Sequence, residues 1–261
     1  MKTLFSLMLI FSGTVLAQTP FDGTWVAKME TVQLPQSPQV YLLQNAVYEC
    51  SSCIPKIKVN ADGKDHPIAG SPYFSAISIR VIDNNHLELV ERQRDKTVYS
   101  ETDTVSPDGN TLMQNITDSA GADGQPISAQ KTSVRISAAP EGSNPISGSW
   151  QAQKIDVTSD NGVTVTYHSI TGGLQASNPD GEGYTAKFDG KDYPIQGDPA
   201  RSTVSLKRVN ANTIVETDKQ AGRVHYQLRM VVSPDGKTMN VTETDKERGT
   251  TMTYTMQKKQ G

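Results

Sequence analysis

The chain has 261 residues, 25 basic and 28 acidic side chains, a net charge of -3 and 6% aromatic residues. No Lys/Arg cluster with interleaved aromatics appears, which argues against nucleic acid as a partner. Thr, Ser, Val, Gly and Asp-Gly or Asn-Gly pairs are frequent and long Ala/Leu/Glu/Lys runs are absent, which favours strands over helices.

Residues 1–17 read as a secretory signal. Lys2 supplies the positive start, Leu4 to Leu16 is mostly apolar, and Val15-Leu16-Ala17 offers small residues for cleavage after Ala17. The apolar run is too short to span a bilayer, and no later stretch is long and apolar enough, so no integral membrane segment is expected in the mature chain. The expected location is exported, in the periplasm or outside the cell. The remaining roughly 240 residues suffice for two domains.

The first repeat, taken as 18–138, opens on Gly23-Thr24-Trp25 at the start of a strand-like run. Cys50-Ser51-Ser52-Cys53 is the only cysteine pair. It lacks the helical context of a redox dithiol, so a short structural disulfide is expected in an oxidising compartment, with redox or metal binding as the alternative. Asp62-Gly63-Lys64-Asp65-His66-Pro67 reads as a hairpin turn followed by a bend; Lys64 would oppose a bound cation, and no metal is expected. Ile77, Ile79 and Val81 alternate with polar neighbours, as do Val134 and Ile136, and Ser106-Pro107-Asp108-Gly109 suits a type I turn with a glycine bulge.

Residues 139–145, rich in Pro and small residues, are expected to link the first repeat to a second at 146–261. Ser149 and Trp150 follow Gly148 as Thr24 and Trp25 follow Gly23. Asp189-Gly190-Lys191-Asp192-Tyr193-Pro194 lies 127 residues after its counterpart at Asp62, and Val232-Ser233-Pro234-Asp235-Gly236 keeps the same offset from Val105. The mature chain is thus a duplication. Alternation in Val204/Leu206, in Val224/Tyr226/Leu228/Met230 and in Met252/Tyr254/Met256 predicts strands with one buried face. Eight or nine short antiparallel strands per copy are expected.

Gly-x-Trp at the head of each copy resembles the motif that opens lipocalin-like barrels. That resemblance implies a barrel able to hold an apolar ligand. The runs Tyr184 to Pro194, Thr203 to Arg208 and Ser233 to Met239 resemble a group of exported bacterial proteins of unknown function, a likeness that implies no catalytic residues. The expected fold is all-β, two tandem lipocalin-like antiparallel β-barrels, with two β-sandwiches as the alternative. The expected function is non-catalytic binding of a small apolar or amphipathic ligand, with Trp25, Tyr99, Trp150 and Tyr226 as candidate lining residues. Filled barrels acting as a structural or protein-interaction module of the cell envelope form the alternative. An enzyme stands third. No nucleophile elbow, His-Glu-x-x-His, phosphate loop or dinucleotide fingerprint occurs, no cofactor is implied, and His66, His86, His168 and His225 are scattered.

Overall fold

The computed structural model describes residues 19–123 and 125–260; the signal-like segment 1–17 lies outside them. The first copy contributes β1 (Gly23–Gln33), β2 (Gln39–Gln44), β3 (Val47–Cys50), β4 (Ile57–Asn60) and β5 (His66–Pro67). It continues with β6 (Ala76–Val81), β7 (His86–Gln93), β8 (Lys96–Val105), β9 (Thr111–Asp118) and β10 (Ile127–Ser137). The second contributes β11 (Gly148–Val157), β12 (Thr164–Ile170), β13 (Gly173–Ser177), β14 (Gly183–Lys187) and β15 (Tyr193–Pro194). It ends with β16 (Thr203–Asn210), β17 (Thr213–Gln220), β18 (Arg223–Val232), β19 (Thr238–Asp245) and β20 (Thr250–Lys258). Each copy therefore has ten strands rather than eight or nine, because the short β5 and β15 pair separately after the Asp-Gly turn.

These strands form two ten-stranded antiparallel sheets, each curled nearly into a barrel. The first runs β4-β3-β2-β11-β10-β9-β8-β7-β6-β5 and the second β14-β13-β12-β1-β20-β19-β18-β17-β16-β15. The ends of each sheet approach one another. Gly63 N–H donates to Ile79 O beside an Asp62–Arg80 bridge in the first, and Gly183 and Gln196 exchange backbone hydrogen bonds in the second.

The order contains a reciprocal exchange. β1 leaves its own copy and sits between β12 and β20, while β11 takes the equivalent slot between β2 and β10. The chain crosses between barrels at 34–38, after β1, and at 158–163, after β11. The expected boundary at 139–145 separates sequence repeats but not barrels, since it forms the loop of the β10–β11 hairpin inside the first sheet. The physical reason is equivalence: both first strands carry Gly-x-Trp, so either fills the same slot with the same ladder.

What that slot requires is visible twice. Gly23 and Gly148 have φ of 118° and 122°, a region L side chains avoid, which fixes the glycine. Trp25 and Trp150 are both 0% exposed. Their indole Nε1 groups donate to Phe21 O at 2.7 Å and Ile146 O at 2.8 Å, which satisfies the one polar atom that burial would otherwise strand. A cation covers each ring, Lys258 over Trp25 at 4.8 Å and Arg135 over Trp150 at 4.1 Å. Trp25 packs with Leu174, Leu206 and Met239 of the second barrel; Trp150 packs with Ile77, Ile79 and Leu112 of the first.

The repeated turns behave as punctuation. Asp62 Oδ1 accepts from Lys64 N–H at 3.1 Å and contacts His66 Nε2 at 2.8 Å; Asp189 accepts from Lys191 N–H at 3.1 Å and from Tyr193 O–H at 3.0 Å. Asp65 pairs with Arg92 at 2.5 Å, and Asp192 with Lys219 at 2.7 Å. Ser106 and Ser233 each accept from a backbone N–H five residues on, closing the Ser-Pro-Asp-Gly turns.

Some apolar residues of the alternating runs are exposed. Val134 and Ile136 are exposed, because β10 alternates without a break and turns Lys131, Ser133 and Arg135 to the other face. Val224 is likewise exposed, beyond the shift at Asp218/Lys219, and Val81 is exposed at the end of β6.

Truncating Trp25 tests the exchange. Trp25→Ala removes an indole from the second barrel and is expected to cost about 3–5 kcal/mol. Hydrogen exchange should show lost protection across 164–258, with 39–137 largely retained; loss confined to the first barrel would contradict the topology.

Candidate functional site

Period-two alternation decides what faces each barrel interior. In the second barrel, Ile214, Glu216 and Asp218 face inward from β17, Leu228 and Met230 from β18, Val241 and Glu243 from β19, and Met252, Tyr254 and Met256 from β20. Together with Ala27 and Met29 of β1 and Tyr167 and Tyr184, most of these surround a cavity of about 460 Å³. That volume falls in the range of small-molecule sites, about 300–1,000 Å³. Ile127, Ile155 and Val157, from the ends of β10 and β11, also line it, so strands of the first sheet wall part of the second barrel's opening.

The lining combines apolar and methionine side chains with five carboxylates, Asp180, Glu182, Glu216, Asp218 and Glu243; no Lys, Arg or His lines it among the described residues. Glu216 is 8% exposed and its Oε2 accepts from the Tyr184 hydroxyl. Asp218 Oδ1 is buried with no hydrogen-bond partner. Burial pushes Glu216 up to about 7, and the Glu243 carboxylate adds to the rise. Burial, then Glu216 and Glu243, push Asp218 up to about 8. Burial raises Glu243 above the usual range and lifts Glu182 to about 7. These acids therefore hold protons at a pH where exposed carboxyls would not.

The first barrel's equivalent interior is built differently. Leu89 pairs with Glu101 there, where Glu216 pairs with Leu228 in the second barrel, so the acid and the leucine have changed strands. Asp103, Gln114 and Lys131 lie side by side across β8, β9 and β10, where the second barrel has Met230, Val241 and Tyr254. Lys131 donates to Gln39 Oε1 at 2.7 Å, Gln114 donates to Glu101 Oε1 at 2.6 Å, and Tyr99 donates to Glu101 Oε2 at 2.5 Å. Burial and the adjacent Glu101 raise Asp103 well above the carboxylate range, while burial lowers the Lys131 ammonium against the pull of Glu101 and Asp103. The first barrel thus carries its own interior basic side chain.

The four aromatics singled out from sequence fall outside the cavity lining. Trp25 and Trp150 are sealed in the two cores. Tyr99 belongs to the first barrel's polar network. Tyr226, half-buried, stands edge-on to His225 at 4.4 Å. The tyrosines that do line the cavity are Tyr167, Tyr184 and Tyr254. His66, His86 and His225 contact surface acids at Asp62, Asp83 and Glu247, away from the interior carboxylates. Cys50 and Cys53 form a disulfide with Cα atoms 5.4 Å apart; Cys50, at the end of β3, is buried in the first core. No helix among the described residues is long and apolar enough to cross a membrane. No family model, curated protein or solved structure matches the chain.

The interior acids give a signed pH dependence. An acid whose folded pKa is raised binds more protons folded than unfolded, so its stabilising contribution is full below about pH 4 and is lost as pH rises towards about 8. Glu216→Gln removes one such acid. Relative to the parent it should gain on the order of 2 kcal/mol between pH 5 and pH 8, read by urea unfolding. A variant that loses ground over that interval would contradict the assignment. The disulfide encloses a separation of three residues. Cys50→Ser should therefore cost no more than about 2 kcal/mol by loop-closure entropy; thermal unfolding that shows the first barrel failing to fold would contradict it.

Proposed function

We propose that the mature chain is an exported carrier that binds one small amphipathic molecule inside its second barrel. The observation that carries this reading is the cavity of about 460 Å³ lined by Met29, Leu228, Met252 and three tyrosines. Methionines suit such a site because their unbranched, polarisable side chains adapt to irregular apolar shapes. Tyrosines supply rigid apolar area with a polar tip. A lipocalin-like architecture fits this use, since a barrel of about eight strands or more can hold one small ligand. Export is supported by the composition of residues 1–17 and by the disulfide, which persists in oxidising compartments.

The first barrel is read as the structural partner. Its interior is crossed by the Asp103-Gln114-Lys131 ladder, and its strands β10 and β11 wall the neighbouring cavity. This keeps the structural role for one copy and the binding role for the other.

Binding of a neutral amphiphile tests the reading. Decan-1-ol should bind the purified mature protein at one molecule per chain by native mass spectrometry. Leu228→Trp, which projects an indole into the cavity, should weaken it at least tenfold while the protein still unfolds cooperatively. Saturable binding that is indifferent to Leu228→Trp would move the site elsewhere.

A further inference from the structure

The two barrels differ most in how interior charge is balanced. In the first, Lys131 faces Glu101 and Asp103 and reaches Gln39. In the second, Tyr254 stands in the equivalent place, and Glu216, Asp218 and Glu243 face the cavity with no basic side chain among its lining. Glu216 is more than nine-tenths buried, with Tyr184 as its hydrogen-bond donor. Asp218 keeps a buried oxygen that no protein group satisfies, as Asp103 does in the first barrel, but there Lys131 stands in the same interior. Buried carboxylates are normally paired or hydrogen-bonded, so this arrangement leaves a place for a positive donor that the chain does not supply.

The shape of the site selects among cations. Leu228 separates Glu216 from Glu243 across three adjacent strands, so the carboxylates do not converge on a point. No group of three or more His, Cys, Asp or Glu among the described residues is arranged to hold a metal ion. The rest of the wall is mostly apolar and tyrosine side chains, with Asn161, Asn178 and Thr164 among them. An ammonium is held by one or two carboxylates without a converging cage, its attached carbon chain covers apolar wall, and tyrosine faces attract cations.

Resting on the reading of the second barrel as a carrier, we propose that its ligand is an organic amine, with the ammonium at Glu216 and Asp218, Glu243 adding negative charge beyond Leu228, and an apolar body along Met29, Met230 and Met252. A carboxylate-headed lipid of the same length finds no basic partner in the wall.

Three probes of equal length separate this inference from the reading beneath it: decylammonium, decan-1-ol and decanoate, titrated calorimetrically into the mature protein at pH 7. Decylammonium is expected to bind at least tenfold more tightly than decan-1-ol, and decanoate more weakly than either. Equal affinity for all three, or preference for decanoate, would overturn the inference and leave the carrier reading standing. Binding of none of them would overturn both. A second readout needs no variant. Because buried acids in the empty barrel hold protons, entry of an ammonium should expel them, and the apparent enthalpy should change between phosphate and Tris. The other titratable groups facing the cavity are Asp180 and Glu182 in the 178–184 segment and the phenols Tyr167, Tyr184 and Tyr254, whose raised pKa values keep them neutral. Buffer-independent enthalpy for decylammonium would count against the carboxylates as its partners. In the double variant Glu216→Gln, Asp218→Asn, checked for cooperative unfolding, the preference for decylammonium over decan-1-ol should shrink below about threefold; a preference retained at tenfold would place the ammonium elsewhere.

Discussion

The structure depends on one slot filled twice: a strand that opens on glycine at positive φ and then places a tryptophan at zero exposure under a cation. Everything else in each barrel is a run of hairpins that brings two sheet ends together, and the slot is where the two halves of the chain are locked. Because β1 and β11 are interchanged, neither barrel is complete without a strand from the other copy. The first barrel is the contiguous run from β2 to β11, while the second closes on β1 from the far end of the chain, so the two ladders share no strand and the chain joins them at 34–38 and 158–163. Arg135 reinforces the slot in the first barrel. Its guanidinium donates to Gly109 O at 2.5 Å, Ser147 O at 2.5 Å and Pro145 O at 2.6 Å while lying on the Trp150 ring.

Duplication frees the two interiors to diverge. The outer turns have kept their chemistry, down to an Asp–cation pair in each Asp-Gly block. The inward positions have not. The first barrel buries a polar ladder with its own lysine, paired in part, with Asp103 Oδ1 and Gln114 Oε1 left without a partner. The second gives up that lysine and the glutamine for Tyr254 and Val241, keeps acids on different strands, and encloses space. One interior thus carries a basic side chain among its acids, and the other lines a cavity with acids and no basic side chain.

Much of the fold is legible in sequence because it rests on local chemistry. The all-β character, the hairpins at Asp62-Gly63 and Ser106-Pro107-Asp108-Gly109, the duplication and the Cys50–Cys53 bridge all follow from residues close together in the chain. The exchange of β1 and β11 does not, since equivalent strands fit either slot and no local residue distinguishes the outcomes. The exposure of Val134 and Ile136 follows from the inward face of β10 being polar, with Lys131 and Ser133, so the apolar members of the alternation mark the outer face. The tryptophans do not mark the cavity, because a large aromatic at a shared position is the part of a barrel most constrained by packing. The informative signal was the inversion of a cross-strand pair, Leu89 with Glu101 against Glu216 with Leu228, which requires aligning the inward faces of the two copies rather than their conserved turns.

The central claim is that one barrel of a strand-exchanged pair holds an amine. A crystal structure of the mature protein grown with decylammonium tests it most directly. The account predicts β1 between β12 and β20, and ligand density in the second barrel alone, its nitrogen within hydrogen-bond distance of Glu216 and Asp218. Density in the first barrel, or an alkyl chain in the second with its nitrogen turned away from both carboxylates, would contradict it.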